Sequence, residues 1–377
     1  MSEVDYYDIV RQKMTLGPLT TPKNKKIIKL LKVFWNEEEI KILSHFNKAD
    51  EYITLSLLEE KSGMPKDKLK KMLERLVEVG TISKRGNKYC LEPIIPGIFE
   101  KYFQRSRDSE ENLKKAAELY RYIINEVMPQ HSTVIDEDWH LFRPLLPLEA
   151  NEKLVEINKN FDVKAQTLPY ETVKNIIEKY DEFAVISCQC RLINELLGKP
   201  CEIAPAAMGC FVAGPAGKMM VDNGIHGARL MNKQEAIEFL KETEKRGLVH
   251  NAVFDKGAES SVFFCNCCSC CCGAIYPGKA FAERSVYQSN YSPKFNNELC
   301  TKCETCMKKC PMNAIYHQFS KETMPEERMV LREQFCIGCG VCAANCPNNA
   351  IKMIKTRDEI PPDRAFIGNK TFTDMII

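Results

Sequence analysis

Cys300-x2-Cys303-x2-Cys306-x3-Cys310-Pro311 and Cys336-x2-Cys339-x2-Cys342-x3-Cys346-Pro347 are two copies of one pattern. Three thiols at three-residue steps on a short loop grip one face of a cubane [4Fe–4S] cluster. The fourth, beside a proline, leaves that loop and starts a helix. Repetition of the whole run argues against coincidence. Where the run occurs twice, its fourth thiolate reaches the other cluster. This groups Cys300, Cys303, Cys306 and Cys346 about one cluster, and Cys336, Cys339, Cys342 and Cys310 about a second. A zinc ribbon is the bland alternative, but zinc pairs two short knuckles and has no use for a third and fourth cysteine in register.

The rest of the composition is ordinary apart from sulfur. The 377 residues carry a net charge of +2, which argues for neither nucleic acid nor a membrane surface, and 19 of them are cysteine. All but Cys90 lie from residue 188 onward. A chain of this size can build hydrophobic cores without disulfide staples. The acidic, polar start Met1-Ser2-Glu3-Val4-Asp5-Tyr6 is no signal peptide, and no apolar run reaches bilayer length. The expectation is a reducing cytoplasm, with no membrane span and thiols that bind metal.

Composition divides the chain into an α+β multidomain protein: residues 1–125, lysine-rich; 126–290, a central α/β cysteine-rich region; 291–355, the repeated cysteine unit; and a tail, 356–377, broken by Pro361-Pro362. The first region reads as winged-helix-like. Apolar periodicity predicts helices over 37–46 and 54–61, then a third from Pro65 to Val79, ended by Gly80. Residues 81–85 and 88–91 flank Gly86-Asn87, a hairpin signal. Lys66, Lys68, Lys70, Lys71 and Arg75 on the third helix, with Lys84, Arg85 and Lys88 on the wing, would suit phosphates. That helix has no Asn or Gln to read a base, so the expectation is a solvated basic face on a scaffold and no specific nucleic acid. The basic stretch 23–35 reads as a core-docking helix, with a membrane-surface helix as its alternative.

Further helices are predicted over 111–128, 171–180 and 233–245, and buried strands over 183–187 and 261–264. Both strands end at cysteines. Cys188-x-Cys190-Arg191, Cys201 and Cys210 form one set, and Cys265, Cys267, Cys268, Cys270, Cys271 and Cys272 the other. Strands that deliver ligands at their C-terminal ends would converge on one crevice. Ten thiols suffice for one or two further iron–sulfur clusters, with Cys188, Cys190, Cys201 and Cys210 the leading ligands. Zinc or Cu(I) is the alternative. Side chains alternate along an extended backbone, so about half of the six-cysteine run would face one cluster. Arg191 and Lys199 would neutralise thiolate charge, and Gly209 and Gly214 would admit backbone N–H groups to sulfur.

Gly214-Pro215-Ala216-Gly217-Lys218 fails as a phosphate loop, since no Gly-Lys-Ser/Thr follows, and reads as a loop around a cluster. His226 reads as structural. Cys271-Cys272-Gly273 matches heterodisulfide-reductase-like proteins in that tripeptide alone, and nothing further is carried from them.

The repeated unit resembles a bacterial-type 2[4Fe–4S] dicluster ferredoxin. The whole chain is similar to a group of anaerobe iron–sulfur proteins. These join a winged-helix-like start, a Cys-x-Cys-Arg…Cys…Cys…CNCCxCCC middle and a dicluster ferredoxin end. The resemblance implies one-electron transfer at low potential, on the order of −400 mV, with a redox partner protein. The rival from another class is a redox-sensing winged-helix DNA-binding regulator.

Overall fold

The structure, a computed structural model, describes residues 4–16, 20–131, 142–148, 155–157, 171–253, 261–275, 286–320 and 326–359. The expected Pro361-Pro362 break and residues 1–3 of the acidic start lie outside these.

The chain opens with α1 (Tyr6–Lys13), α2 (Lys25–Phe34) and α3 (Glu37–Leu43). Asn24 and Asn36 cap the second and third, Asn36 in a reciprocal pair with Glu39. The apolar stripe Ile27, Leu30, Leu31 and Phe34 of α2 is buried in protein, so this amphipathic stretch docks on the core. Then come β1 (Ile53–Thr54), α4 (Leu55–Ser62), α5 (Lys66–Val79), β2 (Ile82–Arg85) and β3 (Lys88–Leu91), with sheet order β1-β3-β2. Gly63 and Gly80 close α4 and α5 in the left-handed region. Two more helices follow, α6 (Phe99–Arg105) and α7 (Glu110–Tyr122). The helix expected over 111–128 is interrupted. A wide turn at Ile123–Val127 keeps Ile123, Ile124 and Val127 buried before α8 (Met128–His131).

The central region contributes β4 (Phe142–Pro144), β5 (Val155–Ile157), α9 (Val173–Lys179), β6 (Phe183–Ile186), α10 (Gln189–Leu196) and β7 (Cys210–Ala213). It continues with α11 (Ala216–Asp222), β8 (Arg229–Met231), α12 (Lys233–Arg246), β9 (Val249–Val253) and β10 (Val262–Cys267). Its six-stranded sheet has the order β4-β9-β10-β7-β6-β8, and every pairing is antiparallel. The expected α/β region is therefore α+β in character, because its neighbouring strands alternate in direction.

This alternation places the cysteines. β6 and β10 both run antiparallel to β7, so they point the same way and flank it. Their C-terminal ends meet the N-terminal end of β7 at one sheet edge. Cys188 follows β6, Cys210 begins β7, and Cys265 and Cys267 end β10. The strand expected to stop at Phe264 runs on through Cys267 because Cys265, Asn266 and Cys267 pair with Asn251, His250 and Val249.

The last unit is a doubled strand–loop–helix–strand. Its halves are β11 (Tyr291–Phe295), α13 (Thr305–Lys309) and β12 (Ile315–Gln318), then β13 (Arg328–Leu331), α14 (Val341–Ala344) and β14 (Ile351–Lys355). Outer strands β11 and β14 pair, as do inner strands β12 and β13. β5 joins β14 in parallel, and α10 packs Leu192 and Ile193 into the N-terminal core, so packing crosses between all three regions.

Gly209 holds the sheet edge together. A Cβ there would stand 2.1 Å from the Ile186 carbonyl oxygen and 2.3 Å from the Cys188 amide nitrogen. Gly209→Ala must push apart the chain leaving β6 and the chain entering β7. The expected cost is about 1–3 kcal/mol, with a matching loss of centrally bound metal. Thermal unfolding and metal analysis of anaerobically purified protein check this; unchanged metal content would contradict it.

Candidate metal centres

The repeated unit encloses two cavities of similar size. One, about 340 Å³, is lined by Cys310, Cys336, Cys339 and Cys342, with Pro293, Ile337 and Met353 among its apolar walls. The other, about 320 Å³, is lined by Cys300, Cys303, Cys306 and Cys346. In each, three thiols come from one loop and the fourth from the other half. The halves repeat in detail. Ala314 N–H donates to Cys310 Sγ and Ala350 N–H to Cys346 Sγ, both at 3.2 Å. Such N–H···S bonds spread sulfur charge and tune a cluster's potential. Four convergent sulfurs in an apolar pocket with N–H donors behind them fit an iron–sulfur cubane.

The two loops differ in their surroundings. Lys302 and Glu304 of the first have φ of 58° and 60°, and their counterparts Gly338 and Gly340 have 69° and 73°. The same left-handed geometry takes ordinary residues in one loop and glycine in the other. The reason is space: a Cβ on Gly338 would meet Ser289 Oγ at 2.2 Å, and one on Gly340 would meet Pro147 Cδ at 2.8 Å. The first loop is an outer loop, with Cys303 exposed and hydrogen-bonded to Thr305 Oγ1 at 3.4 Å. The second is an inner loop, with Cys339 and Cys342 buried. Burial pushes the Cys306 thiol up to about 11, and Cys339 and Cys342 above their usual range. Thiolate ligation therefore releases protons as metal binds.

The ten central cysteines fall into two groups. Cys201, Cys268, Cys270 and Cys271 have their sulfurs all within 4.8 Å of one another. Cys201 and Cys270 are 3.4 Å apart, and Cys270 and Cys271 3.5 Å. Hydrogen bonds from Cys268 and Cys271 hold Cys201 far below its ordinary value, and the same partnership drives Cys268 up to about 12. Asn194 Nδ2 donates to Cys271 Sγ at 2.8 Å. Such a compact set can hold a metal.

The second group is Cys188, Cys190, Cys210, Cys265, Cys267 and Cys272. Cys210 and Cys265 are 3.5 Å apart. Cys265 is strongly acidified by hydrogen bonds from Cys210 and Cys267, and Cys272 is lowered to about 6 by those from Cys190 and Cys267. The six-cysteine run is thus shared: Cys265, Cys267 and Cys272 join one group, and Cys268, Cys270 and Cys271 the other. Alternation along β10 keeps Cys265 and Cys267 together, and the turn after it separates the rest.

Arg191 lies between the groups, fully buried. Burial opposes its charge, but the nearby sulfurs of Cys188, Cys268, Cys201 and Cys267 more than offset that. Its Nη1 donates to the Asn266 carbonyl at 3.0 Å. Lys199 is exposed. Gly214 stands at the far end of β7, donating to the Glu182 carbonyl at 2.8 Å, and Lys218 pairs with Asp222 at 3.0 Å. The loop Gly214–Lys218 therefore does not wrap a cluster; β7 itself carries it away from Cys210. His226 binds Ser187 Oγ through Nδ1 at 3.0 Å, a structural role.

Sequence reasoning missed several supporting residues. Arg121 of α7 donates to the carbonyls of Cys271 at 3.1 Å and Cys190 at 3.0 Å. His250 is buried between Asn266 Oδ1 at 2.7 Å and Glu244 Oε1 at 3.2 Å, and Asn266 Nδ2 donates to the Gly209 carbonyl at 2.7 Å. No short-range signal marks these. The distinction between outer and inner loops, also not drawn from the sequence, does have a signal there: Thr301-Lys302-Cys303-Glu304 is polar where Ile337-Gly338-Cys339-Gly340 is apolar and small.

Residues 299–350 match the family model for a 4Fe–4S dicluster domain. Neither curated proteins nor solved structures returned a match to the chain. The chain is an iron–sulfur protein with a ferredoxin-like dicluster unit at its C-terminal end, and the compact central thiols support a further centre.

Cys310 leaves the outer loop and lines the inner cavity. Cys310→Ser is expected to alter the EPR signal of the cluster held with Cys336, Cys339 and Cys342 and to spare the other. Loss of the signal belonging to the Cys300 cavity would show that the fourth ligands are not exchanged.

Proposed function

We propose that the chain is an electron-transfer protein, or the electron-transfer component of an oxidoreductase. Low-potential electrons pass through two [4Fe–4S] clusters, held by Cys300, Cys303, Cys306, Cys346 and by Cys336, Cys339, Cys342, Cys310. They go to or from at least one more iron–sulfur centre among the ten central thiols. The observation that carries this reading is continuity. Ile337, Cys339 and Met312 of the inner cavity pack in one apolar cluster with Cys267, Cys268, Cys271, Cys272, Cys201 and Cys270. The outer cavity presents exposed Cys303 toward solvent, beside Leu299 at 52% exposure. A redox partner protein meets the outer cluster, the inner cluster passes the electron on, and the central centre stores it or acts on substrate. A centre with a cysteine on every iron relays electrons, whereas an open iron does chemistry.

The proposed layout is a winged-helix-like domain over 1–125, a cysteine-rich domain over 126–290, the dicluster domain over 291–355 and a tail over 356–377. Within it the winged helix is a docking wall. On α5, Lys68 pairs with Glu38, Arg75 with Glu39 and Lys70 with Glu74, and on the wing Lys84 reaches Glu74 at 3.4 Å. Cations already met by carboxylates are poor phosphate ligands. Among the described residues, no helix is long and apolar enough to cross a membrane.

Anaerobically purified protein is expected to hold more iron and acid-labile sulfide than the about eight of each that two cubanes need. Reduction should then give coupled ferredoxin-type EPR signals and an additional central species. Zinc alone in the central region would defeat the relay. Any DNA binding should be weak, steeply salt-sensitive and indifferent to sequence. Recovery of one enriched palindrome from a random duplex library, with affinity abolished by Lys70→Ala and Lys71→Ala, would favour the regulator.

A further inference from the structure

The ten central thiols need not serve one centre, and their geometry divides them by size. A single tetrahedral ion with metal–sulfur bonds of about 2.3 Å holds its thiolates about 3.8 Å apart. Cys201, Cys268, Cys270 and Cys271 match that footprint, with every sulfur within 4.8 Å of the others. Among the described residues, no other set of three or more Cys, His, Asp or Glu side chains is so compact.

The remaining six are arranged differently. Cys188 contacts Cys190, Cys190 contacts Cys272, Cys272 contacts Cys267, Cys267 contacts Cys265, and Cys265 contacts Cys210. Cys210 in turn lies in the field of Cys188 and Cys190. Contact thus runs from sulfur to sulfur along six thiols from Cys188 to Cys210, the last pair at 3.5 Å, and these six are not part of the compact set. An extended run of six thiols is too long for all to reach one ion. It matches the outline of a polynuclear cluster, in which different sulfurs meet different metal atoms.

One further observation points to an anionic occupant beside these sulfurs. Arg191 carries a buried Nε with no hydrogen-bond partner, on a guanidinium that is fully enclosed. Asn251, fully buried, turns its Nδ2 donor toward Cys267 Sγ at 3.9 Å. Backbone supports these sulfurs as well: Ala274 N–H donates to Cys272 Sγ at 3.4 Å.

We propose that Cys188, Cys190, Cys210, Cys265, Cys267 and Cys272 form a metal centre separate from the compact four-thiol group, and that it takes a polynuclear iron–sulfur cluster while the compact group takes a single tetrahedral ion. This deepens the functional reading above and rests on its premise that the central thiols hold metal. It makes the six-thiol centre, with more thiolates than a [4Fe–4S] cubane has irons, the terminus of the relay.

The test uses the full chain, purified anaerobically with 57Fe and zinc in the medium, in three forms: unaltered, Cys210→Ser/Cys267→Ser, and Cys201→Ser/Cys270→Ser. Iron, zinc and acid-labile sulfide are counted, and Mössbauer and EPR spectra recorded. The first variant is expected to lose iron and sulfide together and to keep the compact group's ion. The second should lose about one metal ion per chain and no sulfide. Retained ferredoxin signals establish that each variant is folded. If Cys210→Ser/Cys267→Ser loses those signals, Cys188→Ser alone replaces it, with a changed central Mössbauer component expected and an unchanged one overturning the proposal. Loss of the same metal and sulfide from both double variants would show one shared centre and overturn the division into two sites. Absence of iron and sulfide beyond the ferredoxin clusters in the unaltered chain would instead defeat the functional reading beneath it.

Discussion

Thiols brought into contact cannot all ionise without a cation between them, and this constraint shapes most of the molecule. Eighteen of the nineteen cysteines, all but Cys90, lie from residue 188 onward. Where they crowd, protons are shared unequally. Cys265 and Cys201 are held acidic by donating neighbours, while Cys210 and Cys271 are held protonated by the same contacts. A metal replaces those shared protons with positive charge, so metal binding and the packing of this region are thermodynamically one event. The buried guanidinium of Arg191, placed between both central groups, supplies a fixed part of that charge.

Secondary structure brings the sulfurs to this density by two different routes. In the dicluster unit the route is local: a tight loop running into a short helix offers three thiols, and the chain just past that helix offers the fourth to the neighbouring half, so Cys310 and Cys346 follow a helix end and do not start a helix as expected. That is why it could be read from spacing alone. In the central region the route is topological. Cys188, Cys210 and Cys265 are brought together only because β6 and β10 run antiparallel to β7, and because Gly209 lets two chains pass at a distance no side chain would permit. The sequence showed that two strands end in cysteines, which was enough to expect convergence. It did not show that the sheet is antiparallel, nor that β10 continues to Cys267. Both depend on pairing with β9, whose partners Val249, His250 and Asn251 are far from the cysteines they register. The division of the six-cysteine run follows from that register and from the turn after it, so no spacing rule could have found it.

The helices of the first region were legible because their apolar periods and caps are strong. Their purpose was less so, because a basic helix reads the same whether it faces phosphate or carboxylate. In the folded chain α5 faces Glu38 and Glu39 and meets its own Glu74, and the region's far side is what touches the cysteines. Arg121 reaches the carbonyls of Cys190 and Cys271, and a Cβ on Gly273 would stand 3.2 Å from Ile124 Cγ2. The N-terminal core also takes in Leu192 and Ile193 of the helix that bears Cys190.

These contacts give the molecule a direction. In the outer loop Lys302 and Glu304 carry side chains that pair with Glu327 at 3.5 Å and His317 at 3.1 Å; the inner loop requires Gly338 and Gly340 because Ser289, Tyr291 and Pro147 crowd them. Beyond the inner loop lie the central thiols, and beyond those the wall formed by α6 and α7. Asn345, next to Cys346, donates to the Glu244 carbonyl at 2.9 Å, and Glu244 leads through His250 and Asn266 to the Gly209 carbonyl. A buried polar chain of this kind fixes the dicluster unit against the central sheet, since breaking any link strands a buried group. Rigid spacing between centres is what the proposed relay requires, and the same sheet edge that gathers the central cysteines holds the two units together.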